Sequence, residues 1–424
     1  MIKFLLKGII HDRSRSLLPV IVVSIGVMLT VVLYCWIYGI IGESIVMSAN
    51  FNTGHLKVMT RAYANKPEQM PNDLAILEVG KLLQELKKDY PDVGWAKRIR
   101  FGALMDFPDD KGETRAQGPI VGWAIDLLSP GSKEAERFNI EKSLVTGNIP
   151  SKPGEALITD DFAVKFKIRP GDNFTIFGTT MDGSMAFRNF MVAGTVRFGV
   201  TAIDKGAVIT DISDAQAAFA MDDAAGEVLG FFEDGKYDME KAASIAKQFN
   251  SKYAASIDEY APTMLTLRDQ EGMAEMLDYV NAAGVIMIFV FLLAMSLVLW
   301  NAGLLGSLRR YNEFGIRLAL GESKGHIYKT MIYEGILIGI IGTISGTAVG
   351  LAFSYFLQNV GIDTGGMMKN ASMMIPSTVR AMVTPAAYYI GLIPGLFSVV
   401  LGNALAGIGI YKRQTASLFK ELEV

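Results

Sequence analysis

The chain holds a single cysteine, Cys35, so no disulfide can form within it. Cys35 lies inside an apolar run and reads as a small buried hydrophobe, not a reactive thiol. Scarcity of cysteine fits either side of a membrane and leaves the redox compartment open. Histidine is also rare. His11, His55 and His326 share no metal-ligand spacing, so each reads as an ordinary interfacial or surface residue and no metal site is expected. Charge is sparse: 20% of residues are charged and 50% hydrophobic, with a mean hydropathy of +0.30. A soluble domain usually carries about 25% charged residues. The net charge of -3 gives no basic face for nucleic acid, and no such partner is expected. There is no nucleophile elbow and no Ser/His/Asp arrangement. The stretch Gly230 to Tyr237 approaches a phosphate-binding loop, but Tyr237 stands where Ser or Thr must hold Mg²⁺. The expectation is therefore a non-catalytic chain with no cofactor of its own, any ATP being bound by a separate polypeptide.

What the sequence does have is four long runs without charge: Leu17 to Ile41, Val280 to Leu308, Gly335 to Ile362 and Ala381 to Tyr411. About 20 apolar residues in helical form cross a bilayer core. Backbone groups in lipid must be satisfied internally, so each run is predicted as a transmembrane helix. The first run exceeds the apolar stretch of a secretory signal and reads as a retained anchor. Basic residues cluster in the N-terminal arm (Lys3, Lys7, Arg13, Arg15), in the loop after the second run (Arg309, Arg310, Arg317, Lys324, Lys329) and in the tail (Lys412, Arg413, Lys420). Between the third and fourth runs stand only Lys369 and Arg380. The positive-inside rule then places both termini in the cytoplasm.

The expected layout has an interfacial N-terminal helix over 1–16 and spans at 17–41, 280–308, 335–362 and 381–411. An extracytoplasmic domain covers 42–279, with a β-rich insert at about 127–198. A cytoplasmic loop (309–334), a short external loop (363–380) and a cytoplasmic tail (412–424) complete it. The fold class is thus membrane α-helical, four transmembrane helices, with a large extracytoplasmic α/β domain. Within that domain a helix is predicted from Asn72 to Asp89, ended by Pro91. Strands are predicted at Ala96 to Asp106, Ala116 to Ile125, Glu155 to Thr159, Asn173 to Phe177, Phe190 to Arg197, Ala207 to Thr210 and Val228 to Phe232. Leu265 to Tyr279 is predicted to be helical and to run into the second span as a stalk.

Two segments carry packing and docking signals. Gly342, Gly346 and Gly350 repeat at four-residue spacing in the third span, which lets a helix backbone approach closely in a bundle or a dimer. Pro394, between Gly391 and Gly395, should kink the fourth span. The loop after the second span reads Glu313, Phe314, Gly315, Ile316, Arg317, Leu318, Ala319, Leu320, Gly321, Glu322, Ser323. Glu313 and Arg317 stand four apart, Gly321 can end a helix and Ser323 can cap the next. A short helix mixing charged and apolar groups suits docking into a partner's groove.

The stretch Arg309 to Ser323, with Tyr333-Glu334-Gly335 and the glycines after it, resembles the signature of FtsX-like permeases, including MacB-type and lipoprotein-releasing ABC transporters. Asn52 to Val58 and the segment from Gly154 to Ile176 resemble the outer domain of that family. The likeness spans nearly the whole chain. It implies a cytosolic ABC ATPase subunit as partner and a second permease, copy or homologue, as dimer mate. It implies a coupling helix at Glu313 to Leu320 and an outer domain moved by ATP hydrolysis inside. The absence of a fused ATPase domain departs from the MacB pattern and brings the chain nearer the lipoprotein-releasing and FtsX branches; an outer domain too large for a cell-division FtsX protein favours the former, in a bacterial inner membrane. Membrane lipid and a periplasmic acceptor or adaptor are further implied partners. The implied function is release or export of a lipoprotein or other amphipathic substrate. Efflux of a peptide or small hydrophobic compound and signalling to a periplasmic hydrolase remain alternatives.

Overall fold

The computed structural model describes residues 13–109, 112–199, 201–270, 272–308, 311–363 and 378–412. Most of the expected N-terminal helix, Arg309 and Arg310, Lys369 and the tail from 413 fall outside them. The chain divides into a helical unit (1–42, 279–362 and 378–424) and an α/β unit (43–278 and 363–377).

Four stretches of the described chain are long and apolar enough to cross a membrane. Three lie on continuous helices, Arg13–Ser48, Met273–Leu308 and Lys324–Val360. The fourth is irregular: a 3₁₀ turn at Pro385–Tyr388, a π-helical turn at Ile393–Ser398 and an α-helix at Val399–Lys412. Pro394 supplies the reason. It lacks an N–H and its ring crowds the preceding turn, so the regular hydrogen-bond ladder gives way around it. Val23, Val27, Val31, Leu299, Ile338 and Val399 form the centre of the helical unit. The most apolar window of the second span helix is only 11% buried, against 44% for the first.

The α/β unit is built on one ten-stranded sheet. The strands are β1 (Leu56–Thr60), β2 (Val93–Pro108), β3 (Thr114–Ile125), β4 (Leu144–Gly147), β5 (Glu155–Thr159), β6 (Asn173–Thr179), β7 (Met185–Val196), β8 (Ala207–Asp211), β9 (Glu227–Phe232) and β10 (Pro262–Thr266). Their order is β10-β1-β9-β2-β3-β8-β5-β7-β4, with β6 bridging β2 and β7. The pairs β3–β8 and β5–β7 are parallel and the rest antiparallel. The long β2 links the halves: Val93 to Arg98 pair with β9, and Ile99 to Pro108 with β3. Strands β4–β7, from the β-rich segment, join this sheet through β8 and β2.

Side chains alternate across a strand, and here both faces are covered. Ile120 and Ala124 of β3, Ala156 and Ile158 of β5 and Val208 of β8 enter one core. Their neighbours Trp123, Ile125, Leu157, Ala207 and Ile209 enter a second core on the opposite face. Two glycines on central strands face aromatic rings. Phe101 pairs with Gly122, and Trp95 with Gly230. A methyl group at Gly122 would collide with the Phe101 ring, and one at Gly230 would stand 2.7 Å from Trp95.

Two helix predictions need correction. The helix expected from Asn72 begins only at Val79. Asn72–Leu74 is a 3₁₀ turn and Ile76 is drawn into a bridge with Ala225. Glu78 takes a left-handed conformation, so Leu77 faces outward while Val79, Leu82 and Leu86 are buried. The helix expected from Leu265 begins at Met273, because Pro262–Thr266 is β10, paired with β1. The Asp269 carboxylate accepts from the Thr266 N–H and hydroxyl and holds a turn there in place of a helix.

Candidate coupling site

After the second span helix the chain forms a short helix, Tyr311–Ala319. Phe314 anchors it: the ring is 2% exposed and packs with Ile327, Met331 and Ala406. Gly315 is buried beside it, and Leu318 lies partly against the same cluster. Ile316 and Leu320 face outward, 55% and 83% exposed. The helix thus has one face fixed, with Ile316 and, in the turn after it, Leu320 uncovered.

Its C-terminus is closed by a Schellman motif. Gly321 sits at φ +94°, where a side chain would be strained. The Glu322 N–H donates to the Arg317 carbonyl at 3.1 Å, and the Gly321 N–H to the Leu318 carbonyl at 3.1 Å. Ser323 then caps the following helix, its hydroxyl accepting from the His326 N–H. The partner found for Arg317 is Glu322: Nε and Nη2 each lie 2.6 Å from a carboxylate oxygen. This fork, with His326 Nε2 3.6 Å away, holds the Glu322 carboxyl below the usual glutamate range. The helix that the four-residue spacing of Glu313 and Arg317 predicts does form, and the turn at Gly321 brings Glu322 back under the Arg317 guanidinium.

The glycine stripe of the third span helix meets the first span helix of the same chain. A methyl group at Gly342 would stand 2.6 Å from Val23, one at Gly346 would strike the Ser24 carbonyl, and one at Gly350 would lie 3.0 Å from Val31. The Ser24 and Ser345 hydroxyls bond each other across this contact at 2.7 Å. Asn403 fits against Gly335 in the same unit. The open choice between bundle and dimer thus falls to the bundle for these three glycines.

Sequence reading missed the buried charges of the α/β unit. Arg98, 1% exposed, forks onto Glu134 at 2.6 and 3.2 Å, and its Nη1 donates to the carbonyls of Asn50 and Phe51. Arg137 adds a second cation to Glu134 at 2.8 Å. Burial by itself would push the Glu134 carboxyl up, but the two guanidiniums outweigh it and hold it low. Lys57 Nζ stands 2.9 Å from Glu227, and burial pushes the ammonium's pKa down. The signal was a lysine between Leu56 and Val58 in a strand whose every residue is buried. His55 is a correction: it is 2% exposed, not at the surface, and its Nδ1 accepts from the Phe232 N–H at 3.0 Å. Burial lowers its pKa to about 4. Gly230 to Phe232 of the near-miss phosphate loop end β9, and a turn at Gly235 follows. Among the described residues no cluster of His, Cys, Asp and Glu could hold a metal ion.

Residues 285–415, which contain the loop helix, match the family described as FtsX-like permease C-terminal. The chain is 27% identical over 241 residues to the lipoprotein-releasing system transmembrane protein LolC of Xylella fastidiosa strain Temecula1, covering 54% of this chain and 55% of that protein. It is 27% identical over 233 residues to the protein of the same name from strain 9a5c, covering 52% and 53%. The chain spans about half the length of these curated relatives. A solved structure, the periplasmic region of MacB from Actinobacillus actinomycetemcomitans, aligns with 9% identity and a TM-score of 0.34, covering 52% of this chain and 91% of that one. The helices and the loop define a four-span membrane protein whose C-terminal part is similar to FtsX-like permeases. The matches support the likeness to FtsX-like permeases and to LolC read from the sequence.

Proposed function

We propose that this chain is the permease subunit of an ABC transporter and couples ATP hydrolysis on a separate cytosolic subunit to movement of its α/β unit. The observation that carries the reading is the loop helix Tyr311–Ala319, which lies inside the FtsX-like match and exposes Ile316 beside a buried Phe314, with Leu320 exposed in the turn that follows. A helix fixed at one face transmits a push from a partner that grips the other, because a packed core shifts as a block. The proposed orientation puts both termini and this helix in the cytoplasm and the α/β unit outside, in a bacterial inner membrane. A second permease, copy or homologue, completes the assembly, and the uncovered second span helix favours such a mate or lipid.

The proposed substrate is a lipoprotein or another amphipathic molecule, as the names of the relatives indicate for those proteins. The test is purification of the tagged chain from its native membrane in mild detergent, with mass spectrometry and an ATPase assay. An ATPase subunit recovered with turnover that rises on adding an acylated lipoprotein supports the reading. A chain recovered alone and without turnover overturns it.

A further inference from the structure

The α/β unit contains a cavity of about 570 Å³ whose walls include Thr53, Lys57, Glu68, Arg100, Asp269 and Gln270. It lies where the chain passes from the first long helix into β1 and from β10 into the helix Met273–Leu308. Gln270 holds these passages together, its Nε2 donating to the carbonyls of Thr53 at 3.0 Å and Thr266 at 3.3 Å.

The inner wall carries two cations against one carboxylate. Lys57, on β1, is 2.9 Å from Glu227, and the Arg100 Nη1, on β2, is 3.8 Å from the same group. The two basic side chains share a single carboxylate in a setting where charge is costly. Arg100 Nε is buried and makes no hydrogen bond among the described residues, and neither do the Thr53 hydroxyl and the two carboxylate oxygens of Glu227. Buried polar atoms of this kind are ordinarily satisfied. The rim has the opposite sign. Glu68 is exposed on the 3₁₀ turn Pro67–Gln69, and Asp269 closes the turn after β10. A simple anion would meet both rim carboxylates, and a simple cation would meet the inner wall. A ligand carrying both charges meets neither difficulty.

We propose that this cavity binds an aminoalkyl phosphate, its phosphate against Lys57, Arg100 and Thr53 and its ammonium toward Glu68 and Asp269. Phosphate offers more acceptor oxygens than a carboxylate, which suits three separate donors. The volume lies within the range of small-molecule sites. The group can belong to a free metabolite or to a lipid headgroup. The proposal stands on the α/β unit alone and does not depend on the permease reading.

The test uses the full chain in lipid-depleted detergent and titrates O-phosphoethanolamine by calorimetry and thermal shift. Inorganic phosphate, ethanolamine and β-alanine are the comparison compounds. O-phosphoethanolamine is expected to bind about tenfold more tightly than any of the three and to raise the melting temperature. Arg100→Gln should weaken it about tenfold. Glu68→Gln, on the exposed rim, should weaken O-phosphoethanolamine a few-fold and leave inorganic phosphate unchanged; it carries the test if the Arg100 variant fails to fold. Phosphatidylethanolamine added to the micelles will compete if the source is a lipid headgroup and will not if it is a soluble compound, and either result keeps the site. No binding, equal binding of inorganic phosphate or β-alanine, or indifference to Glu68→Gln overturns the proposal.

Discussion

The guanidinium of Arg317 grips the carboxylate of Glu322 through two 2.6 Å contacts across the glycine that ends the loop helix. The fork ties the loop helix to the turn before the next helix, and Phe314 packs it against Ile327, Met331 and Ala406. Both side chains of the ion pair are about a quarter to a third exposed, so its direct contribution is small, about 0.5 kcal/mol. Its role in the proposed mechanism is geometric.

The uncovered face of the helix gives the first prediction. Ile316→Glu and Leu320→Glu replace exposed side chains and should leave membrane insertion unchanged and folding stability within about 0.5 kcal/mol of wild type. Partner-dependent ATPase turnover should fall about tenfold or more, since docking burial is lost. Phe314→Ala should lower both turnover and stability, the latter by about 3 kcal/mol. Wild-type turnover in both glutamate variants would remove the docking assignment.

Helix packing supplies the second. Ser24→Cys with Ser345→Cys, in a Cys35→Ala background, should form a disulfide on mild oxidation, because the two hydroxyls bond at 2.7 Å. The product should run as a monomer on a denaturing gel. Adding Gly346→Leu should abolish the cross-link and destabilise the chain by about 1–3 kcal/mol, since any side chain there strikes the first span helix. A cross-linked dimer as the main product would return the glycine stripe to an interface between copies.

His55 predicts a pH dependence. Its folded pKa, about 4, lies below the ordinary 6.5, so folding favours the neutral ring. Its contribution is therefore complete above pH 6.5 and is lost as pH falls from 6.5 toward 4. At full loss it amounts to about 3 kcal/mol. Thermal unfolding followed by tryptophan fluorescence should show the melting temperature falling across that window. His55→Asn, whose Oδ1 can still accept from the Phe232 N–H, should flatten the slope between pH 6.5 and 5. An equally steep slope in the variant would assign the effect elsewhere. Glu134 acts lower: its depressed pKa stabilises the fold above the ordinary value of 4.5, and that stability is lost as pH falls through the folded pKa.

Gly122→Val should cost about 1–3 kcal/mol, because Phe101 occupies the space a side chain would need and is held by Phe219 at 4.8 Å between ring centres. Phe101→Ala in the same chain should recover part of that loss. Strictly additive losses in the double variant would contradict the cross-strand contact.

Much of this molecule was legible in its residues. Four uncharged runs of spanning length leave helices as the only backbone solution in lipid, so their existence follows from composition. Strands such as Glu155–Thr159 and Glu227–Phe232 announced themselves by continuous apolar character between turn residues. The loop from Glu313 to Ser323 carried its helix and its stop in local chemistry, a glycine able to take φ +94° followed by a serine cap.

Only the tertiary structure decided the rest. Leu265 and Thr266 have no local reason to be a strand; they become one because β1 offers an edge. The spacing of Gly342, Gly346 and Gly350 announced close packing, but which helix fills the groove depends on where the first span runs. Arg98 and Glu134, and Lys57 and Glu227, lie far apart in sequence and meet only once the sheet is assembled. Local sequence sets what each segment can be, through backbone preference and the solubility of its side chains. Which segments meet is fixed by the global burial of their apolar faces, and the buried charges find their partners in the same step.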